Sequence, residues 1–167
     1  MSAPEFSRMI DVRQAEGRTI ELVASEAERA ALATRFGVVR IDRLEARVRL
    51  DRQAETVSAN GTLVADIVQS CAVSAEDLAV DVREEIAFRF VPARDYHDPD
   101  EEVELDAGDC DEIEFAGTTF DLGEAVSQSL ALAIDPFATG PEADAARALM
   151  KDEEANPFAA LKGKFGQ

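Results

Sequence analysis

The chain has no tryptophan, one tyrosine and one histidine, and aromatic residues make up only 6% of it. Its core therefore has to be built from Val, Leu, Ile and Ala, helped by some of the nine phenylalanines. Two cysteines, Cys71 and Cys110, exclude a disulfide framework, and with His97 as the sole histidine a closed Cys/His zinc site cannot be completed from this chain alone. Two reduced thiols are expected, with a regulatory disulfide as the alternative. No apolar run approaches the roughly 18–20 residues of a membrane span, and the opening MSAPEFSRMIDV lacks the basic-then-apolar pattern of a secretory signal. A cytoplasmic protein without membrane contact is the expectation. Positive charge is also scarce: 17 Lys+Arg stand against 35 Asp+Glu, for a net charge of −18.

Catalytic signatures are missing too. There is no phosphate-binding glycine loop, no nucleophile elbow and no placeable Ser/His/Asp set. His97 lies in an acidic stretch and reads as a solvated residue. That stretch fails the EF-hand order, since counting from Asp98 the sixth position is Val103 rather than Gly and the twelfth is Asp109 rather than Glu. The expectation is a protein with no cofactor, no metal and no small-molecule substrate. A metal-dependent nuclease using the acidic cluster is the remaining enzymatic alternative.

What is present is 167 residues, 46% hydrophobic and 31% charged, enough for one domain with a real core. The charge is uneven. Residues 1–54 carry ten Arg and nine Asp+Glu, whereas residues 92–124 carry thirteen Asp+Glu against Arg94 alone. An acidic surface repels nucleic acid phosphates and attracts basic protein surfaces.

Periodicity predicts the elements. EFSRMIDVRQA and RTIELVA read as two strands forming a hairpin about Gly17. Ser25 with Glu28 is a capping box opening a helix with Ala27, Ala31, Leu32 and Phe36 as its stripe, closed by Gly37. VVRIDRLEARVRLDR is a long strand whose apolar parity switches near Asp42–Arg43, which calls for a β-bulge. Thr56–Val68 is a further strand, with Asn60-Gly61 as a tight turn or bulge. In LAVDVREEIAFRFVP, Val80, Val82, Ile86, Phe88 and Phe90 share a face that only Glu84 interrupts. Residues 92–110 read as an acidic loop, DEIEF as a short strand, and Asp121 as the cap of a Leu-rich helix ending before Pro136, with Glu124 completing a capping-box-like pair. Residues 138–155 show no strong periodicity. Helical crossovers are missing between the central strands, so the predicted fold is α+β: a bent antiparallel or barrel-like sheet with two packed helices. Residues 1–137 form this single domain, and residues 138–167 are an acidic, Ala-rich linker and tail.

Three stretches are candidate contact surfaces. Asp98, Asp100, Glu101, Glu102, Glu104 and Asp106 suit a basic partner. In NPFAALKGKF, Asn156 and Pro157 lead into Phe158, Leu161 and Phe165 at helical spacing beside Lys162, which suits docking in a groove. Arg40, Arg43, Arg47, Arg49 and Arg52 of the long strand are candidate RNA contacts, although pairing with neighbouring acids explains them equally and no known RNA-binding signature accompanies them.

GTLVADIVQSCAVSAEDLAVDVREEIAFRFVP resembles the central segment of the YceD family, the large ribosomal RNA subunit accumulation proteins. IEFAGTTFDLGEAVSQSLALAIDPF resembles that family's second signature, with Asp121, Leu122, Gly123 and Glu124 at its helix start, and NPFAALKGKF resembles its C-terminal ending. The acidic, Ala-rich 138–155 stretch looks like the alphaproteobacterial version. The resemblance implies a role in making or stabilising large-subunit (23S) ribosomal RNA, without an established catalytic activity. Many relatives carry a second cysteine three residues beyond the position of Cys71. Here that position is Ser74, and the family's C-terminal cysteines are missing, so a metal carried by such relatives is not expected here. A basic ribosomal protein or pre-ribosomal particle is the implied partner, with ribosomal RNA contacted indirectly; direct RNA binding through the arginine strand is the alternative.

Overall fold

The computed structural model describes residues 4–93 and 111–153. Strand β1 (Met9–Asp11) and a single 3-10 turn (Val12–Gln14) lead into β2 (Arg18–Val23), α1 (Glu26–Phe36), β3 (Arg40–Gln53), β4 (Thr56–Ser70) and β5 (Asp77–Pro92). Then come β6 (Asp111–Phe115), β7 (Thr119–Asp121), α2 (Leu122–Ala133) and α3 (Ala143–Glu153). The fold is α+β. One five-stranded sheet has the order β2-β3-β4-β5-β6, and β1 and β7 form a separate antiparallel pair. The large sheet is open, so the barrel-like alternative is not adopted, and it is mixed, because β6 runs parallel to β5. Crossover reasoning predicted antiparallel pairing throughout; the β5–β6 connection includes residues 94–110, outside the described residues.

Strand parity sorts the side chains. Leu44, Ala46, Val48 and Leu50 of β3 are buried, as are Val57, Ala59, Leu63, Ala65 and Ile67 of β4 and Val82, Ile86, Phe88 and Phe90 of β5. Opposed residues in an antiparallel pair lie on one face, so rows such as Val48–Gly61–Ile86 and Leu50–Ala59–Phe88 form one continuous inner surface. The expected bulge is present, with the register shifting between Ile41 and Arg43, and it keeps Ile41 and Leu44 on the same side.

Helix α1 starts at the Ser25/Glu28 capping box and stops at Gly37, whose φ of 68° is the left-handed conformation glycine adopts without strain. It seats Leu32 and Ala33 on the core and packs on β3, while Ala27, expected in the stripe, is exposed because it lies in the first turn beyond the sheet's cover. Helix α2 is capped by Asp121 and buries Leu122, Ala125, Val126 and Leu130 against β5 and β4. Burying a Leu-sized side chain stabilises by about 1.5–3 kcal/mol. The two sheets join through phenylalanines: Phe90 of β5 stacks on Phe120 of β7 with ring centroids 4.1 Å apart, and Phe115 of β6 lies 6.0 Å from Phe120.

Three local expectations are corrected. EFSRMIDVRQA and RTIELVA do not form a hairpin: the 3-10 turn, begun by the Asp11 carboxylate accepting from the Arg13 N–H, turns the chain so that β1 pairs with β7 and β2 with β3. Asn60-Gly61 is neither turn nor bulge. Strand β4 runs straight through it, and a Cβ at Gly61 would collide with the Arg47 carbonyl and come within 2.8 Å of the Val48 Cα. The glycine is there for close approach of backbones, not for a turn. Within 138–155, where no periodicity is visible, α3 forms. Among its described side chains only Ala143 and, in part, Ala146 turn inward, while Leu149 and Met150 are exposed.

Candidate functional site

The Asp121–Glu124 motif lies where the N-terminal segment threads between α1 and α2. The Asp121 carboxylate accepts from the Ser7 hydroxyl (2.6 Å), the Arg8 N–H (2.8 Å) and the Glu124 N–H (3.1 Å). The Leu122 N–H donates to the Arg8 carbonyl, and Leu122 itself is fully buried. Gly123 is required by contact: a Cβ there would sit 2.6 Å from the Phe6 carbonyl oxygen and 2.8 Å from the Arg8 nitrogen. Glu124 does not reach back to complete a capping box. Its carboxylate takes a forked pair from Arg35 of α1 (2.8 and 3.0 Å), and Arg35 also reaches Glu5. The Arg35 guanidinium holds the Glu124 carboxyl below its ordinary range. Arg8 forks onto Glu28 (2.7 and 3.1 Å), stacks over Phe6, and with the Ser25 N–H draws the Glu28 carboxyl down to about 2. These four motif residues thus act as a clamp on residues 5–8. Sequence reasoning found the motif but missed Glu5, Ser7, Arg8 and Arg35, since nothing local in the sequence announces contacts across about a hundred residues.

Cys71 directly follows β4, at the start of the β4–β5 turn, and is buried. Its sulfur accepts from the N–H groups of Val73 (3.5 Å), Ser74 (3.4 Å) and Gly140 (3.4 Å). The Ser74 hydroxyl is buried without a well-aligned hydrogen bond, and turned to the sulfur it is the largest influence on the thiol. Together with the backbone donors it lowers the Cys71 thiol from 9.0 to about 7. Donors that favour the charged form act in this direction. The same turn carries the segment before α3: buried Gln69 donates to the Asp135 carbonyl (2.7 Å), the Ala72 N–H to the Ala138 carbonyl (3.0 Å), and the Glu76 carboxylate accepts from the Glu142 N–H (3.3 Å). Gly140 lies against Glu76 and Leu78, with no room for a Cβ. Residues 135–142 thus form a strap over the β4–β5 turn. Gln69, Glu76 and Gly140 carry no local signal for this role.

The arginine strand is a mixed-charge surface. Arg40 pairs with Asp42 (3.0 Å), Arg43 with Glu45 (2.7 Å) and Arg49 with Asp51 (3.3 Å), each two residues along β3, while Arg47 faces Glu21 of β2 at 3.8 Å. Residues two apart on a strand share a face, which makes such pairs geometrically natural. Arg52 stands apart, at the end of the inner parity, donating to the Ala54 carbonyl at 2.6 Å. Asp66 and Asp81 face each other across β4 and β5 beside Arg43 and Arg83, and the hydrogen bond between them raises the Asp66 carboxyl above its usual range. The acidic residues Asp98, Asp100, Glu101, Glu102, Glu104 and Asp106 lie outside the described residues, as do the tail residues Asn156, Pro157, Phe158, Leu161, Lys162 and Phe165, and Cys110. Among the described residues no group of His, Cys, Asp and Glu side chains is placed to hold a metal ion, and no helix is long and apolar enough to cross a membrane. No family model, no curated protein and no solved structure matches this chain.

Proposed function

We propose that this protein is a non-enzymatic, cytoplasmic ribosome biogenesis factor that supports synthesis, processing or stability of large-subunit (23S) ribosomal RNA through contacts with a basic ribosomal protein. The reading starts from the resemblance of three ordered stretches to the YceD family. The observation that carries the choice of protein over RNA contact is the pairing on β3. Arg40, Arg43, Arg47 and Arg49 are each answered by a carboxylate within 4 Å, and of the five candidates Arg52 alone is held by a carbonyl instead, so the strand offers phosphates little uncompensated charge in a chain of net charge −18. Phosphate association scales with the cations a surface can supply. A basic protein meets the opposite situation, with an acidic surface that steers it in. In this reading Asp98–Asp106 make the charged contact and the NPFAALKGKF tail adds an apolar anchor.

A pull-down of the tagged chain from native extract, with and without RNase, tests this. Ribosomal proteins retained after RNase are the expected result, with loss on truncation after Ala155 assigning the tail. Recovery of ribosomal RNA alone, abolished by RNase, would favour the arginine strand and refute the protein-contact mechanism.

A further inference from the structure

Among the described residues, the five-stranded sheet has no partner along much of one of its longest strands. Strand β5 spans Asp77–Pro92, and its β4 side is paired from Asp77 to Phe90 without a register shift. On the other side β6 pairs only with Phe88–Pro92. Among the described residues, Asp77–Ala87 therefore present an open edge in which about every second residue turns its N–H and C=O away from β4. The edge has no proline and no bulge, two devices that commonly blunt such an edge. What it has is charge: Asp77, Asp81, Glu84 and Glu85 against Arg83 alone. Its inner side is different, with buried Val82 and Ile86 and half-buried Val80.

We propose that the Ala79–Ala87 edge of β5 captures an extended basic segment of a partner protein as an added strand. The ladder would supply affinity, and the alternation of the edge would supply specificity. Apolar side chains of the incoming strand would lie beside Val80, Val82 and Ile86, and lysines or arginines on its other face would meet Asp81 and Glu85. Other occupants fit worse. Residues 101–110 of this chain, which a longer β6 would bring alongside, carry five carboxylates and no cation. A second copy would bring the same excess of four acids over Arg83 alone, and pairing β5 to β5 about Arg83 would set Asp81 against Glu85, which destabilises cross-strand pairs. Of the two terminal strands, β2 carries one Arg and one Glu and offers no net preference, and β6 is acidic but only five residues long. The inference goes beyond the ribosomal reading and stands on the sheet edge alone.

The test uses the full chain and a labelled peptide of alternating lysine and valine, about nine residues long, the length of the edge. Saturable binding is expected, with slowed exchange confined to those amides of Ala79–Ala87 that point away from β4. Asp81→Lys combined with Glu85→Lys, both exposed positions, is expected to weaken binding at least about tenfold with no loss of melting temperature, since the lysine also relieves the Asp66–Asp81 pair. The same peptide N-methylated at every backbone nitrogen has no N–H left on either edge, cannot form a ladder and is expected not to bind. Equal binding of the N-methylated peptide would reduce the effect to charge attraction and overturn the proposal. So would amides of Ala79–Ala87 that point away from β4 and are already protected in the free protein, because the chain's own segment would then hold the edge.

Discussion

The Gly140 N–H donates to the sulfur of Cys71 across 69 positions of sequence, at 3.4 Å. The contact places one thiol under three amide donors from two chain segments and helps to hold the strap of residues 135–142 over the β4–β5 turn. A thiol so surrounded titrates early, at about 7 instead of 9.0. Because the folded pKa is depressed, its stabilising contribution is present in full above the unfolded value and is lost as pH falls through about 7. In a Cys110→Ser background, absorbance titration of the thiolate is expected to give a midpoint near that value, and adding Cys71→Val is expected to abolish the step and speed exchange of the Gly140 amide. A midpoint at the ordinary thiol value would refute the donor geometry.

Gly123→Ala is expected to dislodge the N-terminal segment. The new Cβ meets backbone atoms of Phe6 and Arg8 rather than the end of a side chain, so the chain has to move, and overpacking of this kind costs about 1–3 kcal/mol. Gly61→Ala is expected to cost at least as much, since β3 cannot retreat without breaking its ladder. Denaturant unfolding of both variants measures this; wild-type midpoints would contradict the close approach.

Acid is expected to loosen the clamp on residues 5–8. Glu28 is held at about 2 and Glu124 below its ordinary range. Both are depressed carboxylates, so their stabilisation is present above the unfolded value of 4.5 and fades as pH falls below it, for Glu28 down through about 2. Glu28→Gln is expected to flatten the acid limb of a stability–pH curve while leaving neutral stability lower. Because Arg8 and Arg35 are about one-third exposed, solvent screening holds each pair to the order of 1 kcal/mol.

Ser25→Ala removes the side chain that caps α1, and a loss of about 1 kcal/mol is expected. Leu32→Ala, in the same helix but fully buried, is expected to cost about 2–5 kcal/mol. Thermal unfolding of the two variants ranks capping against packing as the source of α1 stability, and an equal loss would reverse that ranking.

Neutralising Arg43, Arg47 and Arg49 together to Ala is expected to leave retention of ribosomal proteins in the pull-down unchanged. Loss of that retention would mean that the strand's arginines, despite their carboxylate partners, contact the partner.

Much of the fold was legible because its signals are local. Alternation in LAVDVREEIAFRFVP sorted the faces of β5, the parity switch at Asp42–Arg43 located the bulge, and Ser25/Glu28 and Asp121 marked where helices begin. The hairpin about Gly17 was misread because alternation says that a segment is extended and nothing about which strand it joins. Asn60-Gly61 was misread because the dipeptide favours a turn when alone, whereas here two long neighbours hold it flat. Of the candidate site, the Asp121–Glu124 motif and Cys71 stood out in sequence, but their partners did not.

By itself, then, the sequence determined element type, face parity, helix starts and the distribution of charge, all of which depend on side chains a few positions apart. Tertiary structure alone decided that β1 joins β7, that β6 runs parallel beside only the last residues of β5, that Glu124 grips Arg35, and that Gly140 closes over Cys71. Each of these choices is a competition among distant segments for the same backbone groups or the same charge, and it is settled only when the whole chain has packed.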